Sequence, residues 1–293
     1  MNAAMNELSG RVAVVTGGGN GIGRGIALTL GAEGMTVAVA DIQESRAAGV
    51  AGEIESAGGK ALAIVVDVTS VDSLGAAAAK IIAQAGGVNL LCANAGVLAR
   101  VGALAHHSIE DWDYTLSVNV MGIVKTVAAF LPALRQRAPD AHIVNTASLG
   151  GLVSDVRAPI GAYIASKYAC VGYSEMLRAE LAPEGIGVSV LCPGVVVSNL
   201  MGTSAENRPR AFGEQTAPDL AALVGAGGDA APALPVYAMA AEDVGPIVIR
   251  AIRANRFHIL THPRAKPLVE GRFRIMVEDF DFAEVGAINE PRA

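Results

Sequence analysis

The chain has 293 residues, 52% of them hydrophobic and 17% charged, with a formal net charge of −6. That apolar fraction is enough to fill a sizeable core. An acidic balance with scattered Lys and Arg excludes the basic stripe that a nucleic-acid backbone requires, so no nucleic-acid partner is expected.

In chain order, short β-branched runs alternate with Ala-rich stretches of helical length. RVAVVT (11–16), TVAVAD (36–41), ALAIVVD (61–67), VNLLCAN (88–94), HIVNTAS (142–148) and VSVLCP (188–193) read as strands. Each is nearly continuous in apolar character, as expected for strands covered on both faces. Residues 21–33, 44–57, 70–84, 112–137 and 163–181 read as the intervening helices. Residues 198–235, rich in Gly, Pro, Ala and Asn, read as a loop or substrate lid. Beyond them lie a helix at 242–254, a strand at 257–261 and a final amphipathic helix after Pro263 within the 242–293 tail. Strands alternating with helices imply βαβ units with right-handed crossovers. The expected fold is α/β: a Rossmann-like doubly wound parallel sheet of about seven strands, helices on both faces, and a C-terminal helical extension. Residues 1–293 are expected to form one domain, with 8–200 as its cofactor-binding and catalytic core.

Cys92, Cys170 and Cys192 are odd in number and far apart. They fit buried reduced thiols rather than disulfides or a CxxC metal site. His106, His107, His142, His258 and His262 show no metal-ligand spacing with a carboxylate, and no metal site is expected. The N-terminal MNAAMNELSGRV lacks the basic and apolar regions of a signal peptide. No run approaches the ~20 apolar residues that cross a bilayer. A soluble, cytoplasmic protein without a membrane partner is the expectation.

The chemistry begins at Thr16-Gly17-Gly18-Gly19-Asn20-Gly21-Ile22-Gly23, directly after the first strand and opening the first helix. Glycines there permit a tight turn and let backbone amides and the helix N-terminus approach a pyrophosphate. Asp41 ends the second strand 18 residues after Gly23, where a carboxylate accepts hydrogen bonds from adenosine ribose hydroxyls. A 2′-phosphate would set like charges a few ångströms apart there. No basic residue follows Asp41 at once (Ile42, Gln43, Glu44), so NAD is favoured over NADP; Arg24 and Arg46 are the counter-indications. Asp67-Val68 and Asn94-Ala95-Gly96 end the third and fourth strands at the same sheet edge. Tyr163 and Lys167, at i and i+4, lie on one helix face. A positive charge beside a phenol favours its phenolate, which can exchange a proton with a substrate oxygen. Ser148, at the end of the preceding strand, is placed to hold that oxygen.

With these pieces, together with Asn119 and Pro193-Gly194, the chain resembles the short-chain dehydrogenase/reductase family, in that family's order across roughly residues 8–200. The resemblance implies that Tyr163 is the general acid/base. Lys167 would favour its ionised form and hold the nicotinamide ribose. Ser148 would position the substrate oxygen, and Asn119 would hold a water of the proton relay. Backbone from Gly194 to Val196 would contact the nicotinamide carboxamide. Many members carry Thr soon after the Pro-Gly pair, whereas this chain runs Val195-Val196-Val197-Ser198, leaving Ser198 as the available hydroxyl. Helices 112–137 and 163–181 resemble the family's dimer-forming pair, so a homodimer or homotetramer is expected.

The segments 98–105, 149–160 and 200–228 are the candidate substrate walls. They are mainly apolar, with Arg100, Arg157, Arg208 and Arg210 either anchoring a substrate or serving solubility. Such a pocket suits a hydrophobic or aromatic secondary alcohol or ketone. The stretches AENRPRAF, ANRFHILTHP and VEGRFRIMVEDFDFA weakly resemble bacterial Cα-dehydrogenases of lignin-derived aryl ethers, implying a benzylic substrate. Two alternatives stay open: an NADP-dependent ketoreductase, and a non-catalytic dinucleotide sensor, against which the full set Asn119, Ser148, Tyr163 and Lys167 argues.

Overall fold

The computed structural model describes residues 5–154, 159–213 and 237–285. Seven strands are present: β1 (Val12–Thr16), β2 (Thr36–Asp41), β3 (Lys60–Val65), β4 (Leu90–Ala93), β5 (His142–Thr146), β6 (Gly187–Cys192) and β7 (His258–Leu260). They form one sheet in the order β3-β2-β1-β4-β5-β6-β7, every pair parallel. The chain therefore runs outward from β1 in one direction and then from β4 in the other. The reversal between β1 and β4 opens a crevice at the strands' carboxyl ends, where open α/β sheets bind ligands.

The helices are α1 (Gly21–Ala32), α2 (Glu44–Ser56), α3 (Val71–Ala85), α4 (Ile109–Leu116), α5 (Gly122–Arg135), α6 (Gly161–Leu181), α7 (Leu200–Glu206), α8 (Val244–Arg253) and α9 (Lys266–Val285). On one sheet face Leu74 and Ile81 of α3, Phe130 and Leu134 of α5 and Leu177 and Leu181 of α6 pack with Val14, Leu91 and Ile143. On the other, Ile26 and Leu30 of α1, Val50 and Ile54 of α2 and Val248 and Ile252 of α8 pack with Val15, Val39 and Leu191. Covering on both faces explains why β1, β2 and β6 read as unbroken apolar runs. It fails at β3, the sheet edge, where Val65 is 52% exposed and only Ile64 is buried.

Local signals set the helix ends. The Asn20 side chain caps α1 by accepting from Gly21 N, and Ser70 caps α3 by accepting from Ser73 N. Gly86, at φ +81°, closes α3 in the left-handed conformation that glycine adopts freely. The helix expected at 112–137 starts earlier, at Ile109, because Ser108 and Asp111 form a capping box. It is then interrupted by a π-turn at Ser117–Met121, which contains Asn119. With that turn included, Ile109–Arg135 is long and apolar enough to cross a bilayer by length and composition. Ile123, Val127, Phe130 and Leu134 on it are at most 2% exposed and lie in the core, which accounts for its apolar content.

The C-terminal part departs from expectation in two places. The segment expected to be a loop begins with a helix, α7, while its residues 214–236 lie outside the described residues. The final helix α9 does carry an apolar stripe, Phe273, Met276, Val277 and Phe280 at i, i+3, i+4 and i+7. That stripe is 42–72% exposed rather than packed on its own chain.

Candidate active site

The turn after β1 is held open by tight backbone approach. Gly17 has φ +61°, and a Cβ there would lie 2.9 Å from Ala95 Cα. A Cβ on Gly23 would lie 2.1 Å from Gly17 O, so the first turn of α1 seats directly on the glycine loop. Asn94 makes the complementary brace: its Nδ2 donates to Thr16 O at 3.1 Å and to Gly17 O at 3.3 Å, and its Oδ1 accepts from Thr146 Oγ1 at 3.2 Å. Thr16 Oγ1 in turn accepts from Asn94 N at 3.0 Å and Ala95 N at 3.2 Å. Asn94 thus commits its side chain to tying together the ends of β1 and β5, leaving backbone to border the cleft. Sequence reading singled out the small residues here but missed this brace.

At one end of the cleft Asp41, 8% exposed, accepts from Gly19 N through Oδ2 and from Gln43 N through Oδ1, each at 3.0 Å. Ile42 forms an exposed wall beside it, and Asp67, Val68 and Thr69 form the next. Asp67 Oδ1 accepts from Thr69 N at 2.8 Å and Thr69 Oγ1 at 2.7 Å, which fixes that turn. The two arginines that spoke for NADP separate here. Arg24 pairs with Glu53 at 2.5 Å and Glu242 at 2.8 Å, behind α1. Arg46 lines the cleft, with Nη2 2.5 Å from Glu206 Oε2.

At the other end stand Ser148, Tyr163, Lys167, Pro193, Gly194, Val196 and Ser198. Ser148 Oγ accepts from Gly150 N at 3.1 Å. Lys167, one helical turn after Tyr163, has its ammonium 5.3 Å from the phenol ring centre. It donates to Thr146 O at 3.0 Å and is 3% exposed. Asn119 is brought behind the cleft, not into it, and is fully buried. Its Oδ1 accepts from Val97 N at 2.7 Å, and its Nδ2 donates to Val97 O at 2.9 Å and Ser166 Oγ at 3.0 Å. Both ends of the side chain are thus engaged, and its backbone carbonyl accepts from Cys170 Sγ at 3.0 Å with a lone pair to spare. Gly96 leaves the space between these groups: a Cβ there would lie 3.3 Å from Asn119 Oδ1 and 3.4 Å from Lys167 Nζ.

The Pro193-Gly194 turn has supports that the sequence did not reveal. Gly194 N donates to Thr261 Oγ1 at 3.1 Å and His262 Nδ1 at 3.2 Å, and His262 Nε2 lies 2.9 Å from Tyr237 O. The consistent tautomer has Nε2–H donating to Tyr237 and Nδ1 accepting. His262 thus braces the turn. Val196 pairs with Met239, through Met239 N to Val195 O at 3.0 Å and Val197 N to Met239 O at 2.9 Å.

Helix α7 and the turn that follows it are pinned from inside. Leu98 N donates to Ser204 Oγ at 2.8 Å, and Tyr114 OH donates to Ser204 O at 3.1 Å. Arg208 Nη1 is 2.8 Å from Asp111 Oδ1, with side-chain exposures of 3% and 6%. Burial pushes the Tyr114 phenol up to about 12, so it stays a neutral donor. Arg208, a candidate substrate anchor, is therefore a structural pin, because its charge is already paired. Arg100 is 3.8 Å from the same carboxylate, Arg210 is exposed, and Arg157 lies outside the described residues. The cleft of about 260 Å³ has an apolar wall of Val97, Tyr114, Val118, Leu200, Pro209 and Phe212. A glycine-floored groove with a carboxylate at one end and Ser, Tyr and Lys at the other fits an elongated dinucleotide and a small apolar substrate.

Residues 11–209 match the family model of the short chain dehydrogenases. The chain belongs to the short-chain dehydrogenase/reductase family, whose members bind a nicotinamide dinucleotide and act as oxidoreductases on small molecules. A family member from Burkholderia phymatum, solved in complex with NAD, is 32% identical. The match covers 98% of this chain and 99% of that one, with a TM-score of 0.81. The 1-deoxy-11-beta-hydroxypentalenate dehydrogenase of Streptomyces exfoliatus is 33% identical, over 91% of this chain and 88% of that protein. The C alpha-dehydrogenase of Sphingobium sp. strain SYK-6 is 26% identical, over 94% and 88%. That last match bears out the resemblance read in the tail segments.

Proposed function

We propose that the protein is an NAD-dependent oxidoreductase interconverting a hydrophobic or aromatic secondary alcohol, benzylic in the narrowest form of the reading, and its ketone. The observation that carries this is the placement of Ser148, Tyr163 and Lys167 at one end of a cleft that has Asp41 at the other. When bound, the nicotinamide supplies the position that accepts or releases the hydride. Gly17, Gly21 and Gly23, with Asn20 and Ile22, let backbone approach the pyrophosphate at the α1 N-terminus. Asp41 keeps acceptor capacity for ribose hydroxyls beyond its bonds from Gly19 and Gln43, and its charge disfavours a 2′-phosphate. Asp67 and Val68 would border the adenine, and Gly194 to Val196 the carboxamide.

In the oxidising direction Tyr163, as phenolate, takes the hydroxyl proton; in the reducing direction it returns it. The Lys167 ammonium lies one helical turn away, 5.3 Å from the phenol ring centre, and is placed to hold the nicotinamide ribose. Ser148 Oγ accepts from Gly150, so its own proton remains to donate to the substrate oxygen. Asn119 contributes its π-turn carbonyl to a relay water, since its side chain is bound to Val97 and Ser166. The apolar wall and the relatives named as dehydrogenases of a hydroxylated compound and of a Cα position support the substrate class.

A homodimer or homotetramer is part of this reading. It is supported by the exposed small-residue stripe Ala165, Ala169 and Gly172 with Met176 on α6, and by the uncovered apolar stripe of α9. Light scattering that returned a monomer would overturn it. Cytoplasmic placement is proposed from three buried free thiols.

The test of function follows reduced-nicotinamide absorbance with NAD+ and then NADP+ against 1-aryl and aliphatic secondary alcohols. Turnover of aryl alcohols with NAD+, lost at least about a hundredfold in Tyr163→Phe, is expected. Tight NAD binding without turnover would favour the sensor reading. Turnover confined to aliphatic alcohols would overturn the substrate class. The NADP alternative draws on one feature, Arg46 in the cleft wall.

A further inference from the structure

We infer that Glu206, at the end of the lid helix α7, is a cofactor-selecting residue that holds Arg46 in an ion pair and so withholds it from the 2′-phosphate of NADP. The inference rests on the NAD reading above and adds a second determinant to Asp41.

Arg46 lies in the first turn of α2, five residues after Asp41, and borders the same end of the cleft. A Cβ built on Gly19 would fall 2.9 Å from Asp41 Oδ2 and 2.6 Å from Arg46 Cβ. Carboxylate and arginine stem therefore flank one glycine. A guanidinium rooted there is suited by its planar donor fork to a phosphate. Left to itself it would work against the Asp41 preference.

It is not left to itself. Its Nη2 is 2.5 Å from Glu206 Oε2. The next lid residue, Asn207, accepts from Gln43 Nε2 at 2.6 Å. Two consecutive lid residues thus grip two residues of the β2–α2 segment. The lid is fixed on its other side by Ser204 on Leu98 N and by Arg208 on Asp111, so the Glu206 carboxylate is held in place. An NADP 2′-phosphate would have to take Arg46 from Glu206 while facing the carboxylates of both Glu206 and Asp41. NAD carries no such group and leaves the pair intact. The Arg46 and Glu206 side chains are 26% and 50% exposed. Pairs of this kind contribute little to stability, so substituting Glu206 tests selection without unfolding the protein.

The experiment is isothermal titration calorimetry at low salt, giving Kd for NAD and for NADP with wild type, Glu206→Gln and the double variant Glu206→Gln/Arg46→Gln. The ratio of the NADP to the NAD constant should fall about tenfold in Glu206→Gln, the worth of one charge-assisted contact. It should return to the wild-type value or above in the double variant. An unchanged ratio in Glu206→Gln overturns the inference. So does a fall that persists in the double variant, which would mean that Glu206 acts by its own charge and not through Arg46. Wild type binding NADP more tightly than NAD would overturn the cofactor reading itself, while the variant-to-wild-type comparison still decides the role of Glu206.

Discussion

His142 gives the protein an acid sensitivity whose size follows from its surroundings. It opens β5 and is fully buried. Its Nε2 lies 2.8 Å from Ser189 Oγ, and Ser189 donates onward to Arg256 O at 2.7 Å. Nε2 is therefore the protonated nitrogen, and Nδ1 has no partner among the described residues. Gly187 faces that nitrogen so closely that a Cβ would lie 2.2 Å from it. Burial, with Arg178 adding to it, pushes the imidazole down to about 3 from its ordinary 6.5. The depressed value fixes the sign: the contribution is fully present above pH 6.5 and is lost as pH falls toward 3, because the unfolded chain takes a proton that the folded one refuses. At about 1.4 kcal/mol per pH unit below 6.5, the loss between pH 7 and pH 5 is about 2 kcal/mol. His142→Gln keeps an amide donor for Ser189 and removes the titration. Urea unfolding of both proteins at pH 7 and pH 5, at equal concentration, should show wild type losing about 2 kcal/mol more than the variant over that interval. Equal losses would refute the reasoning.

Two further expectations concern the cleft. Asp111→Ala leaves the buried Arg208 guanidinium uncompensated and should cost about 3–5 kcal/mol in chemical unfolding, and the loosened cleft wall at Pro209 and Phe212 should raise substrate KM more than it lowers kcat. A loss under about 1 kcal/mol, the scale of a surface pair, would show that the pair is not a pin. Gly23→Ala drives a methyl against Gly17 O, 2.1 Å from the ideal Cβ position. With about 1–3 kcal/mol of overpacking in that turn, calorimetric NAD affinity should drop about tenfold, and unchanged affinity would show that the turn relaxes freely.

All seven strands and the sheet's parallel character were legible in the sequence: the inner strands because a strand buried on both faces must be apolar throughout, and the edge strands β3 and β7, more exposed, because of their β-branched and aliphatic content and their place in the strand–helix alternation. Tyr163 and Lys167 were legible for a similar reason, since their relation lies within one turn of one helix. The glycine turn was legible because backbone of that shape requires glycine. What local pattern missed lies across the sheet edge. Glu206 meets Arg46 across 160 residues, Arg208 meets Asp111 across 97, and His262 reaches Gly194 across 68. Nothing in the spacing of those residues encodes the meetings. They arise where residues 200–213 fold back over the carboxyl ends of β2 and β4 and where β7 docks beside β6. The exposed edge of β3 and the bare stripe of α9 likewise depend on which neighbour an element lacks. The sequence by itself determined the strands, the helices between them, their order and the helix face shared by Tyr163 and Lys167. The tertiary structure alone decided which arginines are already paired, because a charge is bound or free only according to what the fold places beside it.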